Sequence, residues 1–184
     1  MTNSARKQTM ASLSGSKVTL QQFTESDITS TYISWLNDPV TMRFSNQRFL
    51  HHDACSSQRY LATFEGSPNF FFTVRDKSTG NAIGTMTAYL SPPHGTADLG
   101  ILIGERSAWG QGFGLDAWTA LLVHLLQQPH IRKVTAGTLA CNTPMLSLAA
   151  KSGMTPDGQR KQQELVDGVP HDILYFAKFS NART

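Results

Sequence analysis

The run Trp109-Gly110-Gln111-Gly112-Phe113-Gly114 constrains this chain more than any other stretch, because it joins a strand pattern to a helix pattern. Ahead of it, Ala97 to Gly104 is a short apolar run that reads as a strand. Behind it, Leu115, Trp118, Leu122 and Leu125 recur at helical spacing, and Leu121 and Leu126 widen the apolar face. A glycine-rich turn that feeds a helix leaves backbone N–H groups unpaired and aligned with the helix dipole. Such a turn suits a phosphate or pyrophosphate, so the expected ligand is a phosphorylated cofactor.

The commoner phosphate motifs do not fit. An ATPase-type loop needs Gly-Lys-Ser/Thr, and this turn has no lysine to reach a terminal phosphate. A dinucleotide fingerprint counted from Gly110 would end on Leu115, not glycine, and Lys133 to Ala140 lacks the acidic residue that should follow.

Bulk properties narrow the class further. A chain of 184 residues, 40% hydrophobic and 16% charged, fits one domain with a full core. The net charge of +3 is small, and no basic cluster is denser than Arg132-Lys133 or Arg160-Lys161, which argues against nucleic-acid binding. Two cysteines, Cys55 and Cys141, are too few for a disulfide scaffold or a zinc site, and His51-His52-Asp53 has the wrong spacing for a metal. Residues 1–16 are polar and serine-rich without the apolar core of a signal peptide, so they are expected to be a mobile tail before a single domain over 17–184. The longest apolar stretch, Leu121 to Leu126, is too short to span a membrane, and a cytoplasmic enzyme is the expectation.

Local patterns predict a strand over 17–23, then a helix capped by Ser26 or Asp27 that ends at Asn37-Asp38-Pro39. A short helix over 40–44 and another from His52 or Asp53 to Phe64 follow. Strands are expected over 69–75 and 82–90 around the turn Asp76 to Asn81. After the glycine turn, the helix should stop at Gln128-Pro129, with a strand over 133–140 and a helix ending at Gly153. Two last strands, 155–166 and 171–179, are joined by Asp167-Gly168. The fold class is α/β, a mixed sheet flanked by helices.

Gly112 and Gly114 occupy the glycine positions of Arg/Gln-x-x-Gly-x-Gly/Ala, and Trp109 stands at the first position. Further on, Asn142-Thr143-Pro144-Met145-Leu146-Ser147-Leu148-Ala149-Ala150-Lys151-Ser152-Gly153-Met154 follows Asn-x-x-Ser/Ala-x-x-Leu-x-x-Lys-x-Gly-Phe. Loop, strand and helix in this order resemble the GNAT superfamily of N-acetyltransferases from about Lys17 to Phe179. The form Trp-Gly-x-Gly-Phe-Gly is similar to the branch of ribosomal-protein N-terminal and amino-sugar acetyltransferases. The resemblance implies a mostly antiparallel sheet with splayed central strands, and acetyl-CoA as donor. It implies that Trp109, Gly110, Gln111, Gly112, Phe113, Gly114 and Leu115 bind the pyrophosphate. It also implies that Ile101, Leu102 and Ile103 pair with the pantetheine arm, a backbone amide near Leu102 polarising the thioester carbonyl, and that Asn142 and Lys151 assist.

Asn142 reads from spacing alone as a helix cap, and the resemblance adds a cofactor contact. Asp98 is the candidate base, since amine attack on a thioester needs a proton acceptor; the alternative is a solvated strand residue. The general acid is a gap. Ala149 and Met145 stand where relatives carry tyrosine and serine, which leaves Ser147, Tyr175, water or no dedicated acid at all. Trp35, Asn37, Arg43 and Phe44 belong to a segment, Trp35 to Phe44, that resembles Trp-Leu-Asn-Asp-Pro stretches in this branch and by analogy borders the acceptor cleft, with Arg48 nearby in sequence. Its arginines would suit the diphosphate of a nucleotide sugar; the alternative is a solvated loop over a buried Trp35. The partner expected is a small-molecule or peptide amine, with a homodimer left open. The expected reaction is direct N-acetylation of a primary amine, an amino-sugar nucleotide first and a protein N-terminus second. A non-catalytic CoA-binding domain is the rival.

Overall fold

A computed structural model describes residues 12–180. In chain order its strands are β1 (Leu13–Ser14), β2 (Val18–Gln22), β3 (Phe70–Asp76), β4 (Ala82–Ser91), β5 (Thr96–Ile103), β6 (Lys133–Leu139), β7 (Thr155–Val166) and β8 (Val169–Phe179). The helices are α1 (Ser30–Asn37), α2 (Ala54–Ala62), α3 (Phe113–Leu126) and α4 (Thr143–Lys151). The strands form one sheet in the order β1-β2-β3-β4-β5-β6-β8-β7, and every pair is antiparallel except β5 with β6.

One face of the sheet buries α3. Its Trp118, Leu121, Leu122 and Leu125 pack with Val18, Leu20, Phe72, Val74, Met86, Leu99 and Val134, all nearly inaccessible to solvent. Each such side chain contributes about 1.5–3 kcal/mol of burial. The other face carries α1 and α2 over an aromatic cluster of Phe23, Tyr32, Trp35 and Phe71. Strand alternation sorts the residues between the two faces: Ala97 and Leu99 point into the α3 core, and Asp98 points to the opposite side.

Several boundaries differ from the sequence expectation. The expected tail over 1–16 is structured at its end, because Leu13 and Ser14 pair with Leu20 and Thr19; residues 1–11 lie outside the described residues. The first helix starts later than Ser26 or Asp27. Thr24 and Asp27 close a capping box on a separate 3-10 turn, and Thr29 caps α1 by accepting from the Tyr32 amide. Residues 40–44 form turns rather than a helix, and the nearby 3-10 helix spans Asn46–Phe49. Asp53, not His52, caps α2, which ends at Ala62. The Asp167-Gly168 turn has both residues at positive φ (52° and 79°), the requirement of a two-residue hairpin. It pairs Val166 with Val169, so β8 begins two residues before His171.

Candidate active site

The site is built around a split in the sheet. β5 and β6 pair only at Thr96–Asp98 with Lys133–Thr135. Beyond that, β5 stays on β4 as far as Ile103, and β6 stays on β8 as far as Leu139. The facing edges therefore carry backbone N–H and C=O groups that no strand satisfies, and buried backbone of this kind needs a partner. An extended chain with amide groups, such as a pantetheine arm, supplies one. Ile101 and Ile103 turn their side chains toward the α3 face, where a Cβ on Gly114 would come within 3.9 and 3.5 Å of them, respectively.

At the top of the split, the glycine loop enters α3. Gly112 is the N-cap residue, at φ 85°, and no side chain caps the helix. Gly110 also lies at positive φ, 73°. Both need glycine for backbone reasons. Gly114 does not, and its missing side chain leaves room beside β5 instead. The uncapped amides fit a pyrophosphate. Trp109, half-exposed, donates its Nε1–H to the carbonyl of Ile103 at 2.7 Å, so it latches the loop onto the end of β5.

Asp116 reads from the sequence as a first-turn carboxylate that suits the helix dipole, but two sets of contacts near the loop were not legible there. Lys17 donates from Nζ to the Gln111 carbonyl at 2.7 Å, placing a positive charge on the glycine loop from across the chain. Asp116 holds it there, accepting from the backbone N–H groups of Ser16 (2.9 Å), Lys17 (2.8 Å) and Val18 (3.0 Å). Desolvation raises the Asp116 pKa, but the hydrogen bonds from Lys17, Ser16 and Val18 outweigh it and hold the carboxyl below its usual value. A pairing over nearly a hundred residues leaves no local signal.

Asn142 caps α4, accepting from the Met145 amide at 3.4 Å and donating to Thr138 Oγ1 at 3.0 Å. Lys151 is exposed at the end of α4. Ala149 is fully buried, with no proton to give. Asp98 lies at the closed foot of the split, where Thr135 Oγ1 donates to its Oδ1 at 2.6 Å. Its side chain reaches solvent, yet crowding by the surrounding protein raises its pKa and the Thr135 bond opposes the rise.

A cavity of about 490 Å³ opens on the α1–α2 face above β4 and β5. Thr85, Thr87, Gly100 and Leu102 form its floor; Tyr32, Gln47, His51, Ser56, Arg59 and Tyr60 are among its other walls. No aspartate or glutamate lines it. Burial pushes the Tyr32 hydroxyl up to about 12. It raises Tyr60 further, reinforced by a 2.6 Å bond between the Tyr60 and Tyr89 hydroxyls. A second groove, sharing Leu36, Met42, Leu50 and His51 with the first, runs past Arg43, Arg48 and Phe49 to Leu165, Asp167 and Gly168.

The expected acceptor residues divide. Arg43 and Arg48 line the second groove. They also reach the β7–β8 hairpin, Arg43 through Asp167 at 2.9 Å and Arg48 through the Leu165 carbonyl at 2.7 Å. Asn37 lines this groove too, but its amide exchanges hydrogen bonds with His52, to the carbonyl at 2.7 Å and from the N–H at 2.9 Å. Trp35 lines neither cavity. It is buried against Gly104, where a Cβ would lie 2.1 Å from the indole, so it supports the end of β5. Phe44 also lines neither cavity and packs under the Arg43 guanidinium at 5.6 Å. Asp38 of the same segment pairs with Arg106 and Thr41, Arg106 being the main cause that holds its carboxyl well below the usual range.

Comparison with known proteins gives a consistent result. The family model described as an acetyltransferase (GNAT) domain matches residues 17–155. Among curated proteins nothing matches. Among solved structures, RimL, a ribosomal alpha-N-protein acetyltransferase in complex with coenzyme A, is 17% identical over 94% of this chain and 100% of its own, with a TM-score of 0.80. A spermidine N-acetyltransferase from Vibrio cholerae in complex with CoA and spermine is 16% identical over 90% and 96%, at 0.76. The microcin C7 self-immunity acetyltransferase MccE, in complex with acetyl-CoA and AMP, is 15% identical over 89% and 93%, at 0.75. The split sheet, the uncapped glycine loop and the family match together show that this chain belongs to the GNAT acetyltransferase family, enzymes that take their acetyl group from acetyl-CoA.

Proposed function

We propose that the chain transfers acetyl from acetyl-CoA directly to the primary amine of an amino-sugar nucleotide. The observation that carries this reading is the acceptor cavity: it sets the hydroxyls of Ser56, Thr85 and Thr87 among apolar walls, has no carboxylate, and shares its edge with a groove bearing Arg43 and Arg48. A polyamine acceptor would need carboxylates to hold its charges. The groove has Asp38 and Asp167, each paired with an arginine; the Arg43–Asp167 pair is mostly exposed, so a diphosphate can draw Arg43 from it. A sugar instead offers hydroxyls to Thr85, Thr87, Ser56 and Gln47, and a diphosphate suits guanidinium groups. The AMP bound by MccE shows that a relative of this fold takes a nucleotide.

In this reading the loop from Trp109 to Leu115 and Lys17 hold the pyrophosphate, and Ile101, Leu102 and Ile103 hold the pantetheine arm. Asn142 and Lys151 assist from α4. A backbone amide near Leu102 polarises the thioester carbonyl. The neutral amine attacks from the acceptor cavity, and Asp98 takes its proton through water. Alignment in a ternary complex supplies much of the rate. Thiol release from acetyl-CoA over a panel of UDP-linked amino sugars, peptides with free N-termini and spermidine tests the reading. Turnover with the nucleotide sugars is expected. Preference for a peptide would assign the protein N-terminus instead, preference for spermidine would sink the charge argument, and binding without turnover would identify a non-catalytic domain.

A further inference from the structure

Five polar side chains are buried among the described residues: His52, Ser57, Thr73, Thr85 and Ser152. Three of them, His52, Ser57 and Thr85, line the acceptor cavity, and Thr73 is the cross-strand partner of Thr85. Buried polar groups cost stability unless they are bonded, so their concentration at one cavity points to a ligand that bonds them. His52 is held most firmly. Its backbone exchanges two hydrogen bonds with the Asn37 side chain, accepting from Nδ2 at 2.7 Å and donating to Oδ1 at 2.9 Å. Its ring is fixed as well. Nε2 lies 3.1 Å from the Gln47 carbonyl, and a carbonyl oxygen only accepts, so Nε2 carries the hydrogen. In the neutral ring that leaves Nδ1 as a bare lone pair. Among the described residues nothing donates to Nδ1, although the residue is only 9% exposed. The Ser57 and Thr73 hydroxyls are sealed in without a partner, whereas Nδ1 keeps contact with open space. Thr85 Oγ1, on the cavity floor, is likewise unpartnered and open.

We propose that His52 is a specificity-determining residue for the acetyl acceptor, its Nδ1 accepting a hydrogen bond from the bound amine compound and Thr85 Oγ1 making a second contact. On the amino-sugar reading, on which this assignment rests, the donor is a ring hydroxyl of the sugar. The chemistry suits a neutral group. An imidazole lone pair and a threonine hydroxyl bond hydroxyls without adding negative charge, where an aspartate or glutamate would collect any cationic amine. A site built to bond a hydroxyl rejects the analogue that lacks it, because its own buried group is then left unpaired. The three bonds that hold His52 exist before the acceptor arrives, so little ordering is lost on binding. The cavity floor includes Gly100 and Leu102 of β5, so an acceptor held by His52 lies on a strand that borders the split.

Two substitutions separate this role from a structural one, because an asparagine amide puts an acceptor where Nδ1 stands and a glutamine amide puts a donor where Nε2 stands. His52→Gln keeps a donor for the Gln47 carbonyl and loses the Nδ1 lone pair. Its Tm and its acetyl-CoA Kd by calorimetry should stay near wild type while the acceptor KM rises about 10-fold. His52→Asn does the reverse: Tm falls and the acceptor KM stays near wild type. Steady-state kinetics with a UDP-linked amino sugar, and with analogues that each lack one ring hydroxyl, read the contact directly. Wild type should lose about 10-fold in kcat/KM on one analogue, and His52→Gln should lose nothing further on that one. A His52→Gln enzyme with a wild-type acceptor KM would overturn the proposal. So would an equal rise in KM for both variants, or a wild type indifferent to every missing hydroxyl. A wrong acceptor assignment shows differently: the wild type then acetylates a peptide or spermidine, and the contrast between the glutamine and asparagine variants, read with that amine, still stands.

Discussion

Gly112 and Gly114 look equivalent in sequence and do different work. At φ 85°, Gly112 sits where any L side chain costs about 1–2 kcal/mol, and it opens the helix whose free amides face the cofactor. A methyl on Gly114 would meet Ile103 at an ordinary 3.5 Å. Gly112→Glu should therefore weaken acetyl-CoA binding at least about fivefold in calorimetric titration, a single like charge beside the pyrophosphate costing on the order of 1 kcal/mol even in water. Gly114→Ala should leave Tm unchanged and reduce donor affinity alone. Asp98 makes the opposite bargain. Its pKa is raised in the folded chain, so its ionisation costs stability as pH rises from the unfolded carboxylate value through the folded one. Asp98→Asn should raise Tm at neutral pH while lowering kcat by about 100-fold and removing the acidic limb of the pH–rate profile. An unchanged kcat would return Asp98 to a plain strand residue. Glycine spacing was legible because special backbone conformations leave few alternatives; the raised pKa of Asp98 was not, because it comes from desolvation by the folded chain, opposed by Thr135 in another strand.

Elements were read well where a local pattern decides them. The strand–turn–strand of β3 and β4, the apolar period of α3 and the Asp-Gly hairpin of β7 and β8 all stand close to their expected places. The misplaced boundaries have physical reasons. Two capping residues compete at the start of α1, and Thr24 with Asp27 spends the first signal on a 3-10 turn before Thr29 starts the helix. Near the N-terminus, Leu13 and Ser14 have no strand pattern of their own, and the β1–β2 turn is held by Asp116 from α3. A Cβ on Gly15 would lie 2.2 Å from that carboxylate, so the turn closes only around glycine. Asp116→Ala should cost about 2 kcal/mol by loss of bonds to a charged acceptor, read as a lower denaturation midpoint. Because the Asp116 pKa is lowered on folding, this contribution is present above the unfolded carboxylate value and fades as pH falls through the folded one. Lys17→Met should spare stability and raise the acetyl-CoA Kd about fivefold, the worth of one charge at about 4 Å in water.

At the scale of the whole molecule, the acceptor side is a loop strapped to a hairpin. Arg43 to Asp167, Asn46 to Glu164 and Arg48 to the Leu165 carbonyl tie residues 43–48 to the far end of the sheet. Arg43 and Asp167 are mostly exposed, at 56% and 73%, so their bond is worth under about 1 kcal/mol. Arg43→Ala should leave Tm nearly unchanged and raise the acceptor KM without touching the acetyl-CoA Kd. An altered donor Kd would mean that the groove serves the cofactor instead. The sequence by itself determined the strand–loop–helix unit at Trp109 to Gly114, the alternation that sends Asp98 and Leu99 to opposite faces, and the family, because each is a short-range pattern of backbone freedom and hydrophobic period. Only the tertiary structure decided that Lys17 reaches the loop, that Trp35 is buried against Gly104 at the end of β5, and that Asn37 is tied to His52 at the edge of the second groove. These depend on which strands become neighbours in the sheet, and that is set by packing the whole chain at once.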